Sequence, residues 1–394
     1  ITTGSGMTAA VNKFQRILGL KVAENLKDYT TIPEDLKPIV FVSHMEHHSN
    51  QTSWLETIAD VEVVPCNDEG LVCLESFEKC IQKHEHRKIK IASITSCSNV
   101  TGIKTAYHKV AKLIHQYNGL CFVDFACCAP YVAINMHPEI EDEYLDAIFF
   151  SPHKFLGGPG SAGVLIFNKK LYKNTVPDNP GGGTVSYTNP WGQHDYFDDV
   201  ETREDGGTPA FLQTIKIALA IQLKNKMGVE NIKKREDEIN EIVFKTLENL
   251  SNVKILAPNH KKRLSIFSFY FEKFHFNLVV KLLNDRFGIQ TRGGCSCAGT
   301  YGHFLLNVDQ ETSNRIKDEI LHGCNTQKPG WIRLSLHPTI TNNELDFICK
   351  SLKELSENIE DWAKEYKYDS LKNDYVHNTI ESIEKELVAS WFTI

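Results

Sequence analysis

The chain has 394 residues, 41% hydrophobic and 24% charged, the balance of an ordinary globular protein rather than a disordered or fibrous one. Its net charge of −7, with no basic block, excludes a nucleic-acid surface. No apolar run reaches the roughly 18 residues of a membrane span, and eleven cysteines, an odd number scattered through apolar segments, argue for a reducing, cytoplasmic setting without disulfides.

The first residues, Ile1 to Thr8, carry neither an initiating Met nor a signal-peptide pattern, so the sequence reads as the middle of a longer polypeptide that lacks its N-terminal part. Thr3-Gly4-Ser5-Gly6-Met7-Thr8 precedes a helical pattern from Ala9 to Leu18. Glycine backbone, hydroxyls and a helix N-terminus coincide there, which suits either a phosphate or plain N-capping. It is not a Walker loop, because no Gly-Lys-Ser/Thr follows. Apolar, β-prone runs come next: Ile39–Ser43, Val61–Pro65, Ile89–Thr95, Leu120–Phe125, Ala147–Phe150 and Ala162–Phe167. Amphipathic segments separate several of them, such as Lys104 to Tyr117 with Val110, Leu113 and Ile114 on one face. This alternation predicts an α/β domain with a mostly parallel sheet, whose ligands gather beyond the carboxyl ends of the strands.

From Pro177 to Pro209 glycine, proline and polar residues predict a long functional loop. Helical stretches follow over Ala210–Lys226 and Val229–Leu250, and a second apolar region starts at Leu264. With the helix Asn277–Phe287 and the strand Trp331–Leu336 it predicts a small α+β domain. The expected division is a large domain over 1–235, a small C-terminal domain over 236–355 and a charged helical extension over 356–394.

Two strand ends carry chemistry. Asp124 closes the run Leu120-Cys121-Phe122-Val123, where it can cap the next element or hold a proton on a heterocyclic nitrogen. Lys154 lies in Ser151-Pro152-His153-Lys154-Phe155-Leu156-Gly157-Gly158, directly after the next buried run, and a lysine set in such a turn is suited to Schiff-base chemistry. Acid and then lysine at successive strand ends is the arrangement that pyridoxal phosphate (PLP) requires. Cys127, Cys128, Cys295 and Cys297 lack CxxC spacing, so no metal is expected.

In this order the segments from Thr3 to about Leu336 resemble the aminotransferase class V family of fold-type I PLP enzymes, in its cysteine desulfurase and selenocysteine lyase branch. The resemblance implies an aspartate-aminotransferase-like large domain with a small α+β domain, and PLP as cofactor. It implies that Lys154 forms the Schiff base and that Met7, Thr8, Ser151 and His153 lie at the phosphate. In Glu46-His47-His48, similar to the family's Glu-His-His, His47 stacks on the ring; in Ser98-Asn99-Val100-Thr101-Gly102, Asn99 meets its hydroxyl. Asp124 is the pyridinium partner, and Cys127 stands where the family's Asp-x-x-Gln has an amide. Gly207-Thr208-Pro209 resembles the segment that reaches the phosphate of a neighbouring subunit, which implies a homodimer.

Arg292-Gly293-Gly294-Cys295-Ser296-Cys297-Ala298 resembles Arg-x-Gly-His-His-Cys-Ala and places Cys297 at the persulfide position, with Arg292 beside it and both histidines replaced. Arg333, in Trp331-Ile332-Arg333-Leu334-Ser335-Leu336, corresponds to the arginine that grips the substrate carboxylate. The expected activity is a PLP-dependent lyase converting cysteine or selenocysteine to alanine, with a protein as possible sulfur acceptor. The alternative is a class V aminotransferase or other amino-acid lyase without sulfur transfer.

Overall fold

The apolar runs of the first half form one seven-stranded sheet in the computed structural model, which describes residues 1–394 except 324, 327, 371, 380–383 and 394. In chain order its elements are β1 (Thr2–Thr3), α1 (Gly6–Ile17), β2 (Ile39–Ser43), α2 (His48–Leu55), β3 (Asp60–Val64), α3 (Leu74–Lys83), β4 (Lys90–Thr95), α4 (Tyr107–Gln116), β5 (Leu120–Asp124), β6 (Ala147–Phe150) and β7 (Gly163–Phe167). The strand order is β1-β7-β6-β5-β4-β2-β3. Strands β3, β2, β4, β5 and β6 run parallel, and β7 turns back antiparallel on β6. Every residue of β2, β4 and β6 is buried, which explains why they read as unbroken apolar runs: a parallel sheet covered on both faces leaves no side for alternation.

Helix α1 starts three residues before the pattern from Ala9 predicts, because Gly4 and Gly6, at φ +36° and +63°, turn the chain into it. It buries Met7, Ala10, Val11, Phe14 and Ile17 at the 3–4 residue spacing of one helix face. Phe14 meets Phe122 and Phe149 of the sheet, with ring centroids 5.0 and 6.0 Å away, and its full burial is worth about 1.5–3 kcal/mol.

The segment expected to be a long loop contains a hairpin, β8 (Val185–Thr188) with β9 (His194–Tyr196), and the short helix α5 (Val200–Arg203). It is anchored by charge as well as by Val200, which packs on the core. Buried Glu204 accepts hydrogen bonds from Lys13 Nζ and Tyr172 OH, each at 2.7 Å, and from the Asp178 N–H at 3.1 Å. Helices α6 (Phe211–Met227) and α7 (Val229–Glu248) follow.

The chain divides into two compact units: the first holds 1–237, 262–264 and 297–301, and the second 238–261, 265–296 and 302–394. In the second, β10 (Val253–Ile255), β11 (Ile266–Phe271), β12 (Arg292–Gly294) and β13 (Trp331–Ser335) form an antiparallel sheet in the order β10-β11-β13-β12. Helix α8 (Phe276–Phe287) precedes β12; α9 (Gly299–Leu305) and α10 (Gln310–Leu321) follow it. The core joins Val279, Leu282 and Leu283 of α8 to Leu345, Leu352, Leu355 and Ile359 of α11 (Asn342–Trp362). A capping box between Thr341 and Glu344 starts α11.

Beyond Leu355 the structure departs from the expected helical extension. Ile359 still faces the core and carries α11 on to Trp362. A hairpin of β14 (Tyr366–Asp369) and β15 (Asp374–His377) comes next, before α12 (Glu384–Ser390). Buried Tyr366 and part-buried Tyr375 pack on the core, and Asn373, at φ +50°, supplies the left-handed turn; Lys367, Lys372 and Asp374 are exposed. Among the described residues no helix is long and apolar enough to cross a membrane.

Candidate active site

The carboxyl ends of β2, β4 and β5 carry Ser43, Thr95 and Asp124, with Thr95 and Asp124 directly opposite in register. Beyond these ends, within the first unit, lies a cavity of about 210 Å³. Met7, Thr8, His47, Asn99, Asp124, Cys127, Ser151, His153 and Lys154 all line it. It is where open α/β sheets bind ligands.

One end of the cavity is built from the start of α1. The Ser5 side chain makes no capping bond, so of the two readings open for this loop, capping by Ser5 is not used. Instead the Met7 N–H donates to Ser151 Oγ at 2.8 Å. A Cβ on Gly6 would stand 2.5 Å from His153 Cε1 and 2.8 Å from Ser151 Oγ, so only glycine lets the two segments close. Helix N–H groups, a serine and a histidine thus share one small space, the donor set an anion needs. Burial and the neighbouring Lys154 charge lower the His153 pKa.

At the sheet end Asp124 is buried, and its Oδ1 accepts the Ala126 N–H at 2.7 Å. Burial pushes its pKa up to about 6, against the pull of that N–H and of Lys154. Lys154 ends the 3₁₀ turn Pro152–Lys154 that follows β6. On the other side His47 caps α2, its Nδ1 accepting the Ser49 N–H at 3.1 Å. Its place is fixed by the residue before it: fully buried Glu46 accepts from Ser43 Oγ at 2.5 Å, the Thr95 N–H at 2.9 Å and Asn50 Nδ2 at 2.7 Å. Burial raises Glu46 to about 7, opposed by these donors and aided by the Asp124 charge.

Cys127 is half-buried at the cavity, with its thiol 3.6 Å from the Ser98 carbonyl. Cys97 shares that carbonyl, also at 3.6 Å, and burial pushes its thiol well above the ordinary range. Cys97 and Thr95 line the cavity but were not singled out from sequence. Both could have been found, because Thr95 closes a predicted strand and Cys97 directly precedes Ser98-Asn99. Among the described residues no cluster of three or more His, Cys, Asp and Glu could hold a metal ion.

Five predicted residues are not part of the cavity lining. Gly207 and Thr208 are exposed and outside the cavity lining. Arg292 and Arg333 belong to the second unit, opposite each other in the β12–β13 register. Cys297 does not line the cavity either, although it belongs to the same unit. Ser296 and Cys297 are both left-handed, at φ +53° and +58°, a strain of roughly 1–2 kcal/mol each for non-glycine residues.

The model of the aminotransferase class-V family matches residues 22–348. A protein of Halalkalibacterium halodurans named "Probable cysteine desulfurase" is 29% identical over 264 residues, 66% of this chain and 61% of its own length. One of the same name from Staphylococcus epidermidis is 28% identical over 263 residues, again 66% and 61%. The matches therefore span about 61% of the length of these relatives. Among solved structures, the apo cysteine desulfurase of Thermococcus onnurineus superposes with a TM-score of 0.71 at 22% identity, covering 90% of this chain and 78% of that one. A cysteine desulfurase of Escherichia coli gives 0.70 at 20% identity, covering 89% and 77%. The fold is that of these fold-type I enzymes, and the family is PLP-dependent. The chain belongs to the aminotransferase class-V family.

Proposed function

We propose that this chain is a PLP-dependent lyase that takes sulfur from cysteine, or selenium from selenocysteine, and leaves alanine. The observation that carries the reading is a single cavity lined by a primary amine, a buried carboxyl, an imidazole and an anion cradle: Lys154, Asp124, His47, and the Met7–Ser151–His153 end. Its residues fit PLP. The cradle that a Gly6 Cβ would fill suits a phosphate, and Asp124 suits a protonated ring nitrogen, because a cation beside it returns the raised carboxyl to its charged form.

When bound, PLP supplies an electron sink for the bonds of the amino acid attached to it. Lys154 holds the cofactor and then moves the Cα proton of the substrate. Asp124 would keep a positive partner charged, and His47, Asn99 and Thr8, which line the same cavity, would help to hold the cofactor. Cys127 replaces a hydrogen-bonding amide with a weak thiol partner. By the family resemblance Arg333 would take the substrate carboxylate, a bidentate task suited to its guanidinium, and Arg292 would be a second substrate-binding residue. In the overall exchange the Cβ–S bond of cysteine breaks and the sulfur joins Cys297 Sγ. Cysteine and the Cys297 thiol thus become alanine and a Cys297 persulfide, which a thiol or an acceptor protein then unloads.

A homodimer is part of this reading. Helix α6 exposes Phe211, Leu212, Ile215 and Leu219, a 3–4 residue apolar stripe expensive to leave in water, and Gly207 and Thr208 precede it on the same exposed stretch. A cytoplasmic location is part of the same reading.

The test is incubation of the PLP-loaded protein with cysteine. Equimolar alanine and persulfide-derived sulfide, lost in Cys297→Ala, support the reading. A keto acid with the pyridoxamine form of the cofactor identifies an aminotransferase instead.

A further inference from the structure

Helix α2 begins with two histidines whose surroundings differ. His47 lines the cavity, whereas His48 turns to the Cys297 segment. The His48 N–H donates to the Cys297 carbonyl at 2.8 Å, and His48 Nε2 accepts the Gly299 N–H at 3.0 Å. One helical turn on, Gln51 Oε1 accepts the Thr300 hydroxyl at 2.9 Å. Residues 297–300 therefore hang from the first turn of α2 by three hydrogen bonds that span about 250 residues of sequence.

These bonds meet the chain where it most needs holding. Two successive left-handed residues, Ser296 and Cys297, are unstable on their own and persist only where the surroundings fix them. The Gly299 N–H opens α9, where it lacks an intrahelical acceptor, and the imidazole supplies one from another element. Accepting at Nε2 requires a neutral ring with its proton on Nδ1, and the half-buried setting that lowers the His48 pKa favours that form.

We propose that His48 is a positioning residue for Cys297: it holds the 297–299 backbone and so sets where the thiol is presented, while its neighbour His47 faces the cofactor cavity. The assignment rests on the reading of Cys297 as the sulfur-receiving thiol. Three bonds from one helical turn then tie the place of the thiol to the turn that carries the ring-facing imidazole.

The experiment uses the full chain loaded with PLP and has two arms. In the first, the alkylation rate of Cys297 by iodoacetamide is followed by peptide mass spectrometry. In the second, alanine formation from cysteine is measured for kcat and KM, alongside the cofactor absorbance. His48→Ala is expected to change the Cys297 alkylation rate at least about threefold and to lower kcat about tenfold, with KM within about twofold and absorbance unchanged. His48→Gln, whose amide oxygen can accept the Gly299 N–H, is expected to recover most of both. Gly299→Pro removes the N–H and brings a Cβ within 3.3 Å of His48 Nε2, so it breaks the same bond from the other side and is expected to shift alkylation and kcat in the same direction as His48→Ala. Wild-type alkylation and kcat in His48→Ala, or, where that variant does not fold, in Gly299→Pro, would overturn the proposal. If the wild-type protein forms no alanine, the desulfuration reading fails, while the alkylation arm still decides whether His48 holds Cys297.

Discussion

The hydroxyl of Ser151 accepts the backbone N–H of Met7 at 2.8 Å, joining the first turn of α1 to the loop after β6 across 144 residues of sequence. The bond closes one end of the cavity, and it exists because Gly6 has no side chain. A helix start and a lysine-bearing turn, each ordinary by itself, become parts of one site at this contact.

Gly6→Ala should therefore damage the site more than the fold. Its φ of +63° costs an alanine roughly 1–2 kcal/mol, and the new Cβ would force His153 and Ser151 apart. PLP affinity, titrated by absorbance, is expected to fall at least about tenfold. Gly19→Ala is the control. At φ +70° it carries similar strain with nothing within 4 Å, so it should lower thermal stability without weakening PLP.

Cys127→Gln should strengthen cofactor binding. The half-buried thiol lines the cavity and is a weak hydrogen-bonding group, whereas an amide there offers a strong donor and acceptor. The expected gain is about 0.5–1.5 kcal/mol, up to roughly tenfold in PLP retention during dialysis, with a shift of the cofactor absorbance. Unchanged retention would show that the ring hydroxyl is satisfied elsewhere.

A pH-dependent term sits away from the cavity. His115, part-buried with its side chain covered, contacts Asp146 Oδ2 through Nε2 at 2.9 Å and the Asp142 carbonyl through Nδ1 at 2.7 Å, and it stacks on Tyr144. Burial lowers its pKa, but the Asp146 and Asp142 bonds outweigh that, and the net shift is upward. A raised folded value means the stabilisation is complete below the unfolded pKa of about 6.5 and fades as pH rises through the folded value. Thermal denaturation should show His115→Gln less stable by about 1–2 kcal/mol near pH 6, with the gap narrowing as pH rises through the raised folded value.

What could be read from the sequence follows from what each signal depends on. Strands β2, β4, β5 and β6 were legible because a sheet buried on both faces leaves unbroken apolar runs, and Asp124 and Lys154 were legible because they end or follow such runs. The first turn of α1 was not, since Gly4 and Gly6 resemble loop residues until the segments they let approach are known. The hairpin 366–377 escaped because its charges mask the period-two spacing of Tyr366 and Tyr368, and because Tyr375 meets Tyr368 only once the strands pair. Glu46 was visible as part of a motif, but its bonds to Ser43, Thr95 and Asn50 depend on strand register. The tie between His48 and Gly299, 251 residues apart, had no local signal at all.

The central claim is that Lys154 is the amine that holds the cofactor. Borohydride treatment of the PLP-loaded protein, followed by peptide mapping, tests it most directly. The account predicts a pyridoxyl group on the peptide carrying Lys154 and none in Lys154→Ala. Attachment to another lysine, or undiminished labelling of that variant, would contradict it.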